Sequence, residues 1–377
     1  MQIWKFFGRV APAILLLCLA GCGKFFVPQT KGGGGGGGTT GSGDFFYVAN
    51  TTSQAVAGFS VGTSTIANTP NSPYSSGVAP SAMAVTPNGG FLYVGSLAGA
   101  IFGYSVGKDG SLSLLNSGNA LITGVSPSVL RVDPSGNWLI AADVTPAAYV
   151  FSINTTSGVL TQQGSALPLD SGSPNHIVVT PSSGLVYISI GTGGVDVLSL
   201  NASSGVLTKT NQILRPKANL DADQGLAVDP GGKFLFVAET GVNALRVFTI
   251  ASSGALAEVT GSPFNTGLGP SGVIVDSTGG FVYVTNQTDG TVSAFSLAAT
   301  GALTQVSGSP FKTGAVPVDL AEDTSDKFIG VACSGGSPDF QVFTIGSSTS
   351  ATPGGLTSFA KTTGTTASGA FAVVAAD

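Results

Sequence analysis

The sequence predicts an all-β protein, a seven-bladed β-propeller built from four-stranded antiparallel blades. A short apolar run of the form Phe-Leu-Tyr-Val recurs seven times, at steps of 46 to 49 residues. A period this regular indicates one supersecondary unit repeated along the chain, and four short strands fit within each period. The third residues of the seven runs are Tyr47, Tyr93, Ile140, Tyr187, Phe236, Tyr283 and Gly330.

Each repeat contains four predicted strands in the same order. The first precedes the apolar run and ends in a turn, as in residues 80–87 and 127–134. The apolar run is the second strand, and a third follows around an anchor such as Phe59 or Phe151. A variable fourth stretch, such as residues 301–306, completes the unit. Turn-forming residues bound each run of Val, Phe, Tyr, Thr and Ile, which is typical of short antiparallel strands.

The two ends of the repeat region predict that the ring closes. The first copy, which starts at Asp44, lacks the strand that precedes the apolar run in the other copies. Residues 369–374, near the other end, have the pattern of that missing strand. We therefore expect the C-terminal strand to complete the first blade, which leaves few strand edges exposed. The propeller is predicted to span residues 44–377.

Residues 1–21 are predicted to be a lipoprotein signal peptide and are excluded from the fold. Two basic residues precede the apolar stretch 11–20, which is too short to span a bilayer comfortably. Residues 19–22, Leu-Ala-Gly-Cys, resemble a bacterial lipobox, so Cys22 is the predicted lipidation site. The alternative is an ordinary signal peptide followed by a chance cysteine.

Residues 22–43 are predicted to form a tether between the lipidated cysteine and the propeller. They include seven consecutive glycines at 32–38, a composition expected to behave as a flexible linker. Gly23 follows the cysteine, where an Asp would favour retention in the inner membrane of enterobacteria. We therefore expect a lipid-anchored protein of the cell envelope, in the outer membrane, facing either the periplasm or the cell surface.

The composition limits the possible partners. Without the two basic residues of the signal segment, the chain has 12 basic and 19 acidic side chains, a net charge of −7. No basic stripe is present, so nucleic acid binding is not expected, and membrane attachment rests on the lipid. The Ser-, Thr-, Asn- and Gly-rich surface suits a neutral sugar, lactone or glycan ligand, or a protein partner. Cys333 is the one remaining cysteine and is predicted to be a buried small hydrophobe.

The single histidine, His176, is the main candidate for chemistry. One histidine and one mature cysteine exclude the usual metal sites, and no metal or cofactor is predicted. His176 begins the first strand of its blade, at an end that opens near the ring axis, and Glu239 ends a strand of the next blade on the same face. The two are candidate general acid–base residues. Candidate ligand-binding residues on the same rim are Asn175, Asp221, Asp223, Gln224 and Thr240. The alternative is a set of solvated residues at loop ends.

A ladder of aspartates has a structural explanation. The four aspartates share one repeat position with Thr86 and Thr180, and four of these six residues are followed by Pro. Asp or Thr at such a position caps a turn through the backbone, and equivalent positions around a ring cannot converge on one ion. The residues 322, 323 and 326 are close enough to bind calcium loosely, but a solvated loop is favoured. The ladder comprises Asp133, Asp229, Asp276 and Asp323.

The runs Tyr-Val-Ala-Asn at 47–50 and Tyr-Val-Thr-Asn at 283–286, with their Pro-x-Gly turns, resemble YVTN-type propellers. They also resemble the bacterial lactonase family of seven-bladed propellers, which includes 6-phosphogluconolactonases and a muconate-lactonising relative. The resemblance covers about residues 44–377 and specifies the fold better than the activity.

The resemblance implies a His and an Arg near the starts of inner strands, and a Glu after an Asn that ends a second strand. These positions fall on Asn175, Gln224 and Thr240, so His176 and Glu239 each lie one residue away. A one-residue shift turns a strand side chain to the opposite face, so the family's constellation is not matched. Arg215 and Lys217, in a preceding loop, are possible substitutes for the Arg.

Three functions are compatible with these features, and whether the protein is an enzyme stays open. The first prediction is a lipid-anchored envelope propeller that acts as a binding or scaffolding module through one face of the ring. The alternative is a lactone hydrolase or isomerase, 6-phosphogluconolactonase-like, that uses His176 and Glu239 on uncharged sugar lactones. The third is an envelope repeat protein without a small-molecule ligand, which predicts a channel plugged by apolar side chains.

Overall fold

The structure is a computed structural model that describes residues 44–62, 64–182, 184–215, 223–336, 338–359 and 369–376. The predicted signal peptide 1–21, the lipidation site Cys22 and the tether 22–43 lie outside the described residues. Asp221 and Lys217 lie outside them as well. No helix in the described part of the chain is long and apolar enough to cross a membrane.

Seven antiparallel sheets form the seven blades, as predicted. The first sixteen strands are β1 (Asp44–Asn50), β2 (Ala55–Val61), β3 (Ile66–Asn68), β4 (Tyr74–Ser75), β5 (Ala82–Val85), β6 (Phe91–Ser96), β7 (Ala100–Val106), β8 (Leu112–Leu114), β9 (Ile122–Thr123), β10 (Pro127–Val132), β11 (Trp138–Asp143), β12 (Ala147–Ile153), β13 (Leu160–Pro168), β14 (His176–Val179), β15 (Leu185–Ser189) and β16 (Val195–Leu200). A short 3₁₀ turn at Asn116–Gly118 follows β8.

The remaining strands are β17 (Leu207–Leu214), β18 (Asp223–Val228), β19 (Phe234–Glu239), β20 (Ala244–Ile250), β21 (Leu256–Glu258), β22 (Phe264–Asn265), β23 (Pro270–Val275), β24 (Phe281–Asn286), β25 (Thr291–Leu297), β26 (Leu303–Gln305), β27 (Phe311–Lys312), β28 (Pro317–Glu322), β29 (Phe328–Cys333), β30 (Phe340–Ile345), β31 (Leu356–Ser358) and β32 (Ala370–Ala376). Blades 1 to 7 have the strand orders β32-β1-β2-β3, β5-β6-β7-β8, β10-β11-β12-β13, β14-β15-β16-β17, β18-β19-β20-β21, β23-β24-β25-β26 and β28-β29-β30-β31. The first strand of each order is called the inner strand below.

The ring closes through the C-terminal strand. β32 pairs antiparallel with β1, from Phe45 opposite Ala376 to Asn50 opposite Ala370. Each inner strand also contacts the inner strand of the next blade, and β32 contacts both β28 and β5. The prediction that residues near the C-terminus complete the first blade is therefore confirmed.

The repeated aromatic residues hold neighbouring blades together. The side chains of Tyr47, Tyr93 and Tyr283 are fully buried, and their hydroxyls donate to backbone oxygens of the next blade. The Tyr93 hydroxyl lies 3.0 Å from the Gly158 oxygen, and the other two bonds measure 2.7 and 3.0 Å. Burial of an aromatic ring supplies the apolar area of the interface, and the bonded hydroxyl fixes the relative position of the two blades. Cys333 is fully buried, as predicted.

The aspartate ladder forms the predicted turns. In Asp133, for example, Oδ1 accepts the backbone N–H groups of Asn137 and Trp138 at 3.0 and 2.8 Å. Equivalent bonds form at the other three positions, so each carboxylate caps the hairpin between the first two strands of its blade. Among the described residues, no group of three or more His, Cys, Asp or Glu side chains is placed to hold a metal ion.

Candidate functional site

The inner strands of all seven blades surround a central channel with a volume of about 750 Å³. Such a volume is in the usual range for a small-molecule site. Most of the wall consists of small or aliphatic residues, so the polar side chains are conspicuous. Those polar and charged residues are Ser81, Ser128, Arg131, Asn175, His176, Gln224, Thr240, Ser271, Gln287, Asp319 and Glu322. The expectation of a channel plugged by apolar side chains is wrong.

His176 lies in the channel wall at the first residue of β14, opposite Ser189. Its side chain is half-buried, and its Nδ1 atom is buried with no hydrogen-bond partner among the described residues. Burial, reinforced by the positive charge of Arg131, lowers the pKa of His176 to about 3. The imidazole is therefore neutral at physiological pH and can accept a proton.

Arg131 is a charged residue in a position that is apolar in every other blade. It lies on β10 opposite Ile140, the third residue of its apolar run. The equivalent inner-strand residues are Ala84, Val178, Ala227, Ile274, Ala321 and Val374. Enclosure within the ring lowers the pKa of Arg131, and the Asp319 carboxylate opposes that effect. Its side chain remains exposed to the channel, and no described residue accepts a hydrogen bond from it.

Asp319 faces this wall from blade 7. It lies on β28 opposite Ala332, which is the same level as His176 in blade 4, three blades away around the ring. Its Oδ1 accepts the Leu320 N–H and its Oδ2 the Val373 N–H, both at 2.9 Å. Burial raises the pKa of Asp319 to about 6, although these bonds and the Arg131 charge favour the carboxylate.

Glu322 is the second carboxyl group of the channel, at the opposite end of β28. Its Oε2 accepts the Ser277 N–H at 2.7 Å. Burial raises the pKa of Glu322 to about 8, and the nearby carboxylates of Asp276, Asp326 and Asp323 add to the effect. Near neutral pH this side chain is therefore largely protonated.

The structure does not bring Glu239 into the channel beside His176. Glu239 ends β19 with 2% of its surface exposed, and it does not line the channel. Its Oε1 accepts a bond from Arg246 Nη1 at 2.9 Å, and the same guanidinium contacts Glu258. The carboxylate points into its own blade because a cation on the adjacent strand neutralises it there. Asp319, which interacts electrostatically with Arg131, is a carboxylate that does line the channel.

Of the other predicted rim residues, Asn175, Gln224 and Thr240 line the channel and Asp223 does not. Asn175 lines the channel, but its side-chain amide donates to the backbone oxygen of Asp223 in the next blade at 3.2 Å. Thr240 makes a similar bond to the Pro270 oxygen, at 2.7 Å. Ser81, Ser128 and Ser271 form equivalent links, so this ring of bonds joins the blades at the channel mouth. Gln224 lines the channel, whereas Asp223 is fully buried and does not.

Arg215, the possible substitute for the family's arginine, lies elsewhere. Its guanidinium bonds to Asp170 at 3.1 Å and to the Gly193 oxygen at 3.0 Å. Arg131 therefore supplies the cation of the channel, and it does so from a blade that the motif comparison did not indicate. A signal for it was present in the sequence, since a lone charge interrupts an otherwise apolar repeat position.

The fold and channel define a closed seven-bladed propeller with a polar axial site. The sequence model of the family described as Lactonase, 7-bladed beta-propeller, matches residues 45–148 and 145–321. These matches cover more than half of the chain. The protein therefore belongs to this lactonase family, as the repeat motifs suggested.

Solved structures share the same fold at low sequence identity. A putative 6-phosphogluconolactonase from Bacteroides fragilis has a TM-score of 0.76 at 19% identity, with 91% of this chain and 100% of that chain covered. A periplasmic gluconolactonase from Pseudomonas aeruginosa has a TM-score of 0.70 at 16% identity, with coverages of 89% and 99%. A putative 6-phosphogluconolactonase from Bacteroides uniformis has a TM-score of 0.71 at 16% identity, with 84% of this chain and 95% of that chain covered. No curated protein matches the sequence.

Proposed function

We propose that the protein is a lactone hydrolase that opens a sugar lactone in the central channel. The observation that carries the proposal is the pairing of a neutral histidine with an arginine that bonds to no described residue, on one wall of an open channel. His176 and Arg131 come from neighbouring blades and are close enough for the arginine charge to affect the histidine pKa. This pair supplies a proton acceptor and a stabiliser of negative charge.

The reaction follows from these two roles. His176 takes a proton from a water molecule, whose oxygen attacks the lactone carbonyl carbon. The carbonyl oxygen becomes negative and is stabilised by the N–H groups of Arg131. The tetrahedral intermediate then collapses, the bond to the ring oxygen breaks, and that oxygen receives the proton from the His176 imidazolium. The product is an open-chain hydroxy acid.

Burial is the main cause of the low pKa of His176, and the smaller contribution of the Arg131 charge can change during the reaction. An imidazole with a pKa of about 3 is neutral but only weakly basic in the resting protein. The charge of Arg131 contributes to that low value. As negative charge develops beside Arg131, the repulsion that disfavours imidazolium is offset, and His176 becomes a stronger base during the reaction.

Family membership and the related structures support the reaction class. Two of those proteins are putative 6-phosphogluconolactonases and one is a periplasmic gluconolactonase, so all three names indicate a sugar lactone as the substrate. We also infer that the chain is a lipoprotein of the cell envelope, anchored through Cys22. The lipobox-like residues and the glycine run support that location. A palmitate-labelling experiment with Cys22→Ser would test it.

The hydrolysis proposal is tested with the purified full-length protein and glucono-δ-lactone, by following acid release at constant pH. We expect turnover above the spontaneous rate, with a loss of roughly 10²–10⁴-fold in His176→Ala. Arg131→Gln should lose roughly 10²–10³-fold. Lys312→Gln removes the same charge from an exposed position outside the channel and is the matched control. No turnover by the parent protein, or equal rates in all variants, would refute the proposal and leave binding without catalysis.

A further inference from the structure

The charges of the channel are few and unevenly placed. Of the described residues that line it, Arg131 is the only Lys or Arg, while Asp319 and Glu322 are the two carboxyl groups. Both acids lie on β28 of blade 7, whereas Arg131 lies on β10 of blade 3, across the channel. The ligand space therefore has one cationic wall and one acidic wall.

The Arg131 guanidinium is available to a ligand. It is exposed within the channel and donates no hydrogen bond to any residue in the described part of the chain. A planar guanidinium with free N–H groups binds a carboxylate through two parallel bonds. In the proposed reaction the carboxylate of the hydroxy-acid product forms at this place.

Asp319 determines what the rest of the ligand can be. Both of its oxygens accept a backbone N–H, which fixes the carboxylate against the wall. Each oxygen retains acceptor capacity, so the group can receive hydrogen bonds from sugar hydroxyls. A second anionic group on the ligand would instead face this carboxylate, and like charges in a partly enclosed site repel strongly.

We propose that the channel accepts ligands with a single anionic group and selects unphosphorylated sugar acids over their phosphorylated counterparts. Arg131 binds the carboxylate, and Asp319 binds the hydroxyls and rejects a terminal phosphate. The proposal rests on the proposed function in placing the lactone and its acid in this channel. It names Asp319 as the residue that determines specificity.

The test is calorimetric titration of the full-length protein with gluconate, 6-phosphogluconate and glucose at pH 7.5. We expect gluconate to bind at least tenfold more tightly than 6-phosphogluconate. Arg131→Gln should weaken gluconate binding by about 30-fold or more and change glucose binding little. Asp319→Asn keeps the shape of the side chain and should reduce the preference for gluconate to less than about threefold. Lys312→Gln is again the control for charge and should retain the preference.

The outcomes separate this inference from the proposed function. Equal or tighter binding of 6-phosphogluconate would overturn it, and so would a preference that Asp319→Asn leaves unchanged. Absence of gluconate binding would also overturn it. Arg131-dependent gluconate binding without any lactone turnover would instead support the ligand class while refuting hydrolysis. Thermal melting of each variant confirms folding, and Arg131→Lys, which retains the charge, should show an intermediate affinity.

Discussion

Glu322 makes the stability of the propeller depend on pH, and Glu322→Gln should remove that dependence. The carboxyl group has a pKa of about 8 in the folded protein, against an ordinary value of 4.5, chiefly because it is buried. The folded state therefore binds this proton more tightly than the unfolded state does. The stabilisation is complete below pH 4.5 and is lost as the pH rises to about 8. Glutamine has no proton to lose and can still accept the Ser277 N–H.

The size of the effect follows from the two pKa values. One pH unit corresponds to about 1.36 kcal/mol, so the full difference corresponds to about 5 kcal/mol as an upper limit. The side chain is half-buried and the channel is open, so solvent screening reduces this value. We expect Glu322→Gln to exceed the parent protein in free energy of unfolding by roughly 1–3 kcal/mol at pH 8.5. At pH 4.5 the unfolding free energies of Glu322→Gln and the parent protein should be nearly equal.

The measurement is urea unfolding followed by circular dichroism, for both proteins, at pH values between 4.5 and 9. Comparing the two proteins at each pH cancels the titration of other groups, including Asp319. Asp109→Asn is the matched control: Asp109 is exposed, and its pKa is lowered by hydrogen bonds from Ser111. The difference in unfolding free energy between Asp109→Asn and the parent protein should be constant above pH 5. A difference between Glu322→Gln and the parent that does not change with pH would refute the reasoning.

Two further predictions concern the packing between blades. Tyr93→Phe removes a buried hydrogen bond to the next blade and should cost about 1–2 kcal/mol in urea unfolding. Tyr187→Phe should be neutral or slightly stabilising, because that buried hydroxyl has no hydrogen-bond partner among the described residues. Equal losses of unfolding free energy in Tyr93→Phe and Tyr187→Phe would contradict this account. A methyl group at Gly225 would lie 2.2 Å from a backbone oxygen of β23, so Gly225→Ala should cost more than about 2 kcal/mol. Gly90→Ala, whose nearest contact is 3.4 Å away, is the control and should cost much less.

The sequence predicted the fold because each blade uses the same positions for the same purpose. The apolar run becomes the second strand, its aromatic residue packs between blades, and the aspartate five residues before the run caps the turn. These contacts are local or lie one repeat apart, so the 47-residue period contains them. Closure by β32 could also be predicted, since a strand was missing at one end and present at the other.

The site was less predictable because it depends on contacts between distant repeats. His176 is recognisable in the sequence because it is the single histidine and lies at the start of an inner strand. The repeat pattern predicts Glu239 at the same end of the ring as His176, but Arg246 on the neighbouring strand binds that carboxylate within the blade. Arg131 breaks the apolar pattern of its repeat position, and Asp319 occupies the position that His176 holds in blade 4. Both charged residues are visible in the sequence. That they face each other follows only from the closed ring.

The architecture explains how the site can differ while the fold is retained. An inner strand has a partner within its own blade on one edge only, and its other edge borders the channel. A polar residue can therefore replace an apolar one on this strand and still reach the channel. In this chain, Asn175 and Thr240, which fall on the family's expected site positions, bond to the next blade and strengthen the ring.

Residues that join the blades are then constrained by packing, whereas channel residues are constrained by the ligand. Arg131 belongs to the second group, because no described residue accepts a hydrogen bond from it. Asp319 belongs to both groups: it lines the channel, and its Oδ2 accepts the Val373 N–H of β32, which also links blade 7 to blade 1. Their placement in blades 3 and 7 leaves the ligand space bounded by opposite charges. A channel of this kind distinguishes ligands by the number of anionic groups they carry, which is why Asp319→Asn is the decisive variant for its specificity.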